Sequence, residues 1–289
     1  MVVKESFHSR TSWGRNRRRH GDVNIFMTAL AILGLPVAAW GLLAAAPPPG
    51  DDLSESDIAA IIEKFAAKEA EFARARENYT YRQTVRIQEM DETGRPGGRM
   101  EIVSDIIFSP EGKRMERVVR APVSTLRRLL LTPEDEQDLR NVQPFVLTTS
   151  EIPKYYIRYL GKETLDEISC YVFAVKPKKL EPGQRYFQGI IWVDDRDLQI
   201  VKTYGRGVGL IKKGSDNQFP KFETYREQID GKYWFPTYTT ANDVLHFQTG
   251  PVPIKMTVKY EDYKQFKADV NIRYGEAVPG EPKPEPKKP

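Results

Sequence analysis

The chain has 289 residues, 40% hydrophobic and 11% aromatic, enough for one sizeable core with appendages. Its formal net charge of +4 sits entirely in the first 46 residues, where Lys4, Arg10, Arg15, Arg17, Arg18 and Arg19 outnumber Glu5 and Asp22; of the totals of 44 basic and 40 acidic residues, the remaining 38 and 38 cancel. A nucleic-acid partner is excluded on that balance, because such proteins concentrate positive charge on the folded domain. Cys170 is the only cysteine, which excludes an internal disulfide.

In chain order, residues 1–24 are a basic n-region and residues 25–46 carry no charged side chain. Roughly 20 such residues cross a hydrocarbon core, and the basic flank stays cytoplasmic. The run is expected to form an N-terminal hydrophobic helix in contact with the inner membrane, with everything after it exported. Ala44-Ala45-Ala46 offers a small-residue cleavage site, yet the apolar run exceeds the ~7–15 residues of a signal peptide. Retained anchor and cleaved signal both stay open. Residues 47–53 read as a stiff linker, residues 54–275 as the folded domain, and residues 276–289 as a disordered tail rich in Pro and Lys. An exported chain without disulfides fits the periplasm of a bacterial cell envelope.

Ser54, with Asp57 three residues on, marks a helix start, and Ile58, Ile61, Ile62, Phe65 and Phe72 recur at helical spacing opposite Glu63, Lys64, Lys68 and Glu71. The period then changes to two: Tyr79, Tyr81, Val85 and Ile87 alternate with Thr80, Arg82, Thr84 and Arg86. Turns at DETGRPGG and SPEGK lead through Ile102, Ile106 and Phe108 into RMERVVR. A short helix follows, with Thr132 as cap, Pro133 in its first turn and three acids complementing its dipole.

Strand signals resume at YYIRYLG and SCYVFAVKP. In GIIWVDDRDLQIVK, a four-residue loop over Asp194–Asp197 would pair Val193 with Leu198 and Ile191 with Ile200, making one face wholly aliphatic and leaving Trp192 on the other. Asp230-Gly231 suits a two-residue turn. Ile254, Met256, Val258 and Tyr260 alternate with Lys255, Thr257, Lys259 and Glu261. About ten strands in up-and-down order follow, giving an α+β fold: an antiparallel sheet curved into an open half-barrel, with helices covering its concave side.

Catalytic machinery is sparse. Past the hydrophobic run, His246 is the only histidine, too little for a zinc site or a histidine-based triad. The DDRD cluster lacks the glycine and distal glutamate of a calcium loop and reads as a solvated turn. GRGVGLIKKG lacks phosphate-loop spacing and reads as a flexible connection or bulge, or as a mobile gate. No catalytic residue, metal or cofactor is expected. The aromatic strand residues are core or the lining of a ligand cavity.

The W-V-D-x-x-D-x-x-I-x-K hairpin at Trp192 to Lys202 and the D-G-K-Y-W-F-P turn at Asp230 to Pro236 resemble the middle strands of the outer-membrane lipoprotein-sorting group, the LolA/LolB-like carriers and their RseB-type regulatory relatives. The resemblance spans roughly residues 54–267. It implies an open half-barrel whose hollow accepts acyl chains, and a role as a lipid or lipoprotein acyl-chain carrier. It equally implies an envelope signalling or scaffold module that binds a protein partner through the same sheet. Unlike the lipidated acceptor of that group, this chain has no N-terminal cysteine. Under the carrier reading, Ile191, Val193, Leu198 and Ile200 form the sheet wall of an apolar cavity, and Ile61, Ile62 and Phe65 its helical cover.

Overall fold

The computed structural model describes residues 53–109, 111–210 and 219–265. The n-region, the hydrophobic run, nearly all of the linker and the tail lie outside the described residues. Within them, no helix is long and apolar enough to cross a membrane.

Helix α1 (Glu55–Ala75) starts where the cap signal places it, with the Ser54 hydroxyl accepting from the Asp57 amide at 3.1 Å. Ten strands follow: β1 (Tyr79–Met90), β2 (Pro96–Phe108), β3 (Arg114–Arg120), β4 (Tyr155–Leu165), β5 (Ile168–Pro177), β6 (Tyr186–Asp194), β7 (Ile200–Val208), β8 (Phe222–Gln228), β9 (Trp234–Phe247) and β10 (Gly250–Gln265). Between β3 and β4 lie α2 (Pro133–Gln137) and a wider π-type turn, Asp138–Val142. Thr132 and Asp135 close a reciprocal capping box on α2.

All neighbours pair antiparallel in one open, curved sheet of order β3-β2-β1-β10-β9-β8-β7-β6-β5-β4. The meander is thus cut in two, with β10 returning to pair along β1 (Val85 opposite Val258, Ile87 opposite Met256). This order has a physical consequence. β3 and β4 are opposite edges of the sheet, so the connection between them must cross a whole face, and it crosses the concave one. Leu129, Val142, Phe145 and Leu147, all on that connection, are buried in the main core with Phe187, Phe222, Ile254 and Met256. Phe145 stacks on Phe187 with centroids 4.6 Å apart.

The other part of the cover is α1. Phe65, at 0% exposure, tilts against Phe173 at 5.4 Å, with Ile191, Val193 and Ile200 fully buried in the same cluster. Each such side chain contributes about 1.5–3 kcal/mol by leaving water. On the convex side a smaller cluster of Cys170, Val172, Trp192 and Val201 forms, where the indole donates to Glu163 at 2.8 Å.

Two local expectations need correction. Val193 pairs with Ile200, not Leu198, and Ile191 with Thr203, because the loop runs from Asp194 to Gln199 and a bulge follows at Trp192. Leu198 takes φ of +53° inside that loop and meets the core from its end. The turn at Asp230-Gly231 is longer than two residues: β8 ends at Gln228 and β9 starts at Trp234. Asp230 accepts there from the Lys232 and Tyr233 amides at 2.9 and 3.0 Å, and from the Tyr79 hydroxyl, which organises a wider loop.

Candidate functional site

The β3–β4 connection is held onto the concave face by polar pins. At its entry the buried Glu89 carboxylate of β1 accepts from the amides of Arg127, Arg128 and Leu129 at 3.0, 2.7 and 2.9 Å. Successive amides make a natural cradle for an anion. Midway, Asp138 meets Arg185 through two hydrogen bonds of 2.8 and 2.7 Å. Burial pushes the Asp138 carboxyl up to about 6 even though the Arg185 guanidinium opposes it. Towards its exit, the Thr224 hydroxyl donates to the Gln143 carbonyl at 3.0 Å, and Arg226 donates to the Phe145 carbonyl.

Gly207 of GRGVG is explained by this connection, and Gly205 by neighbouring β6. Residues 205–208 are regular strand rather than a flexible link, and residues 211–214 lie outside the described residues. A Cβ on Gly207 would sit 2.0 Å from Asp138 Oδ2, and one on Gly205 would sit 2.8 Å from the Phe187 ring. Strand β7 is bare where a carboxylate and a ring must come close. Only the missing side chains give room.

Helix α1 is pinned in a similar way. Glu69 and Arg226 are 0% and 1% exposed, with Arg226 Nη1 3.2 Å from both carboxylate oxygens. Glu69 also accepts from the Ile200 amide at 3.0 Å. Periodicity missed this pair, because Glu69 is an acid within the apolar stripe, between Phe65 and Phe72, and Arg226 lies in a strand of mixed character; the one signal was that acid facing inward from an amphipathic helix.

The cover is uneven. Under α2 a void of about 30 Å³ among Ile87, Phe222, Ile254 and Met256 has room for about one water. Towards β3 the connection leaves a groove of about 340 Å³, floored by Val85, Ile102 and Val118 and overhung by Leu131 and Leu139. Val118 stays 56% exposed although its strand register turns it to the concave side, as the partner of inward-facing Ser104. The rim is charged, with Glu116, Glu136 and Arg140. Burial would raise the Glu116 carboxyl, but the Ser104 hydroxyl and the Arg114 and Arg140 guanidinium groups outweigh it and hold it below the usual range.

The seven residues expected to line a cavity lie elsewhere. Phe65, Ile191, Val193 and Ile200 are packed against one another's neighbours with no exposure, while Ile61, Ile62 and Leu198 sit partly buried at the border of that core. Of the chemical candidates, Cys170 is buried, and burial, with Asp194 and Asp195 adding, pushes its thiol up to about 12. His246 is an exposed strand residue opposite Pro251. The DDRD acids are engaged: Asp194 accepts from the Arg196 amide, Asp195 from Ser169, and Asp197 from Gln228 and Trp234. No group of three or more metal-ligating side chains forms among the described residues.

No family model matches the chain, and no curated protein matches it. Among solved structures, it is similar to a DUF1329 family protein from Desulfovibrio piger, at 15% identity over 74% of this chain and 94% of that one, with a TM-score of 0.42. A LolA superfamily protein from Nitrosomonas europaea matches at 16% identity over 72% and 94%, with a TM-score of 0.33. An outer membrane lipoprotein-sorting protein domain from Vibrio parahaemolyticus matches at 13% over 71% and 94%, also at 0.33.

Proposed function

We propose that the protein is a non-enzymatic periplasmic binding protein of the bacterial envelope that holds a lipid or a lipoprotein acyl chain between its sheet and the β3–β4 connection. Residues 25–46 tether it to the inner membrane where they are retained. The observation that carries this reading is the unfilled apolar groove under Leu131 and Leu139, whose 340 Å³ falls within the roughly 300–1,000 Å³ of small-molecule sites. Each methylene entering it gains about 0.8 kcal/mol. The charged rim suits the polar end of such a molecule. Ile61, Ile62, Phe65, Ile191, Val193, Leu198 and Ile200 extend the wall when α1 lifts, a movement that the Glu69–Arg226 pair resists. The role needs no cofactor, metal or catalytic residue.

The test is mass spectrometry of organic extracts from the gently purified full chain. A co-purifying lipid, lost when Val118→Trp fills the groove, supports the reading. A protein that carries no lipid and leaves a fluorescent fatty acid unbound in both forms refutes it.

A second reading, a signalling or scaffold module that binds a protein partner through the same sheet, is favoured by the convex face. There Tyr156, Leu160 and Tyr204 are 56%, 45% and 38% exposed, and a shallow depression of about 610 Å³ lies over Ala174 and Ile190. A stoichiometric protein partner that Tyr156→Glu releases would favour this reading over the first.

A further inference from the structure

The C-terminal end of α1 borders a second cavity, partly open, of about 180 Å³, with the rings of Tyr81, Phe108 and Phe235 in its wall. Three guanidinium groups also reach it. Two are already partnered: Arg114 donates to Glu116 at 3.2 Å and to Gln83 at 3.0 Å, and Arg140 donates to Glu136 at 2.9 Å. The third is Arg76. Among the described residues, no hydrogen bond or ion pair engages its guanidinium. The residue keeps an intermediate exposure; its partial burial, reinforced by the positive charge of Arg226, holds it below the usual arginine range, against the pull of Tyr81, Glu69 and Glu77. The nearby Glu69 is committed to Arg226 and the Ile200 amide. Glu77 is exposed at the cavity wall and packs over Gly112, where a Cβ would lie 2.7 Å from its Oε2.

A guanidinium that lines a cavity without a protein acceptor is open to an anion, and its planar fork matches a carboxylate through two parallel hydrogen bonds. With one unpartnered cation and Glu77 close by, the local field suits a single negative charge and opposes two. The rings supply an apolar wall, and a cavity of ~150 Å³ is known to take a benzene ring. We propose that this cavity binds a monocarboxylate with a compact apolar body, its carboxylate held by Arg76 and its body among Tyr81, Phe108 and Phe235. Arg140 lines both this cavity and the rim of the acyl-chain groove, but Arg76, Tyr81, Phe108 and Phe235 line only the cavity.

The test is calorimetric titration of the full chain, held in a lipid nanodisc, with benzoate, benzyl alcohol and inorganic phosphate. Saturable benzoate binding, at least about tenfold tighter than either of the others, is expected, since one charge-assisted pair is worth a factor of that order. Arg76→Met should bring benzoate down to the level of benzyl alcohol and leave benzyl alcohol unchanged. Benzoate binding no tighter than benzyl alcohol or phosphate overturns the proposal, as does full benzoate affinity in Arg76→Met. Should that variant misfold, the three-ligand comparison on the unaltered protein still decides, and Phe108→Trp, which crowds the cavity, should weaken benzoate. Val118→Trp, which fills the groove, should leave benzoate unaffected.

Discussion

Replacing Glu69 by leucine should unfold much of what α1 covers. The substitution strands the Arg226 guanidinium, 1% exposed, with the Phe145 carbonyl as its remaining hydrogen-bond acceptor, and removes the acceptor of the Ile200 amide 3.0 Å away. Breaking one side of a buried pair costs about 3–5 kcal/mol, and an orphaned buried amide about 1–3 kcal/mol; the two overlap, so about 4–5 kcal/mol is expected. Against a typical domain stability of about 5–15 kcal/mol this is severe. Arg226→Met should cost about 3–5 kcal/mol by the same logic. The double variant Glu69→Leu/Arg226→Met removes both charges and leaves chiefly the Ile200 amide unpaired, so it should lose only about 1–3 kcal/mol. Urea unfolding followed by the fluorescence of Trp192 and Trp234 measures all four corners of the cycle, and the coupling should be at least about 4 kcal/mol, the least that those costs imply. Single variants within about 1 kcal/mol of the parent, or a double variant as unstable as the two singles combined, would refute the view that the pair pins the helix.

Other outcomes follow from the β3–β4 connection. The Asp138 carboxyl is raised from 3.8 to about 6, so between those values the folded protein holds a proton that the unfolded chain has lost, and stability falls as pH rises through that window. The advantage of the parent over Asp138→Asn should therefore shrink by about 2 kcal/mol from pH 4 to pH 7, measured by parallel urea melts; an advantage that grows with pH would contradict the burial argument. Gly207→Ala should cost about 1–3 kcal/mol in the parent, since its Cβ meets Asp138 Oδ2 at 2.0 Å, and less than that when added to Asp138→Ala, where the carboxylate is gone. Cys170, buried and with its thiol pushed up to about 12, should resist iodoacetamide at pH 8 in the folded protein and react once urea is added. Rapid native labelling would show that the convex cluster opens.

Local order determined much of this protein in advance. The cap at Ser54, the stripe through Phe65 and Phe72, the change to period two at Tyr79 and the box at Thr132 are written in neighbouring residues, so the kinds of element and most strand positions could be read off. The aliphatic face through Ile191, Val193 and Ile200 was also legible, because alternation assigns a face whatever the partner. Tertiary structure alone decided the rest. The pairing of β10 with β1, and hence the passage of the β3–β4 connection over the concave face, depends on residues about 170 positions apart (Val85 with Val258) that no local period links. That passage filled the space over Phe187 and left the groove beside Val118 open. The inward charges Glu69, Glu89 and Asp138 each found a distant partner, an arginine or a row of amides, that makes their burial tolerable. Side-chain periodicity records which way a residue faces; whether the space in front of it is filled depends on which distant segment arrives there.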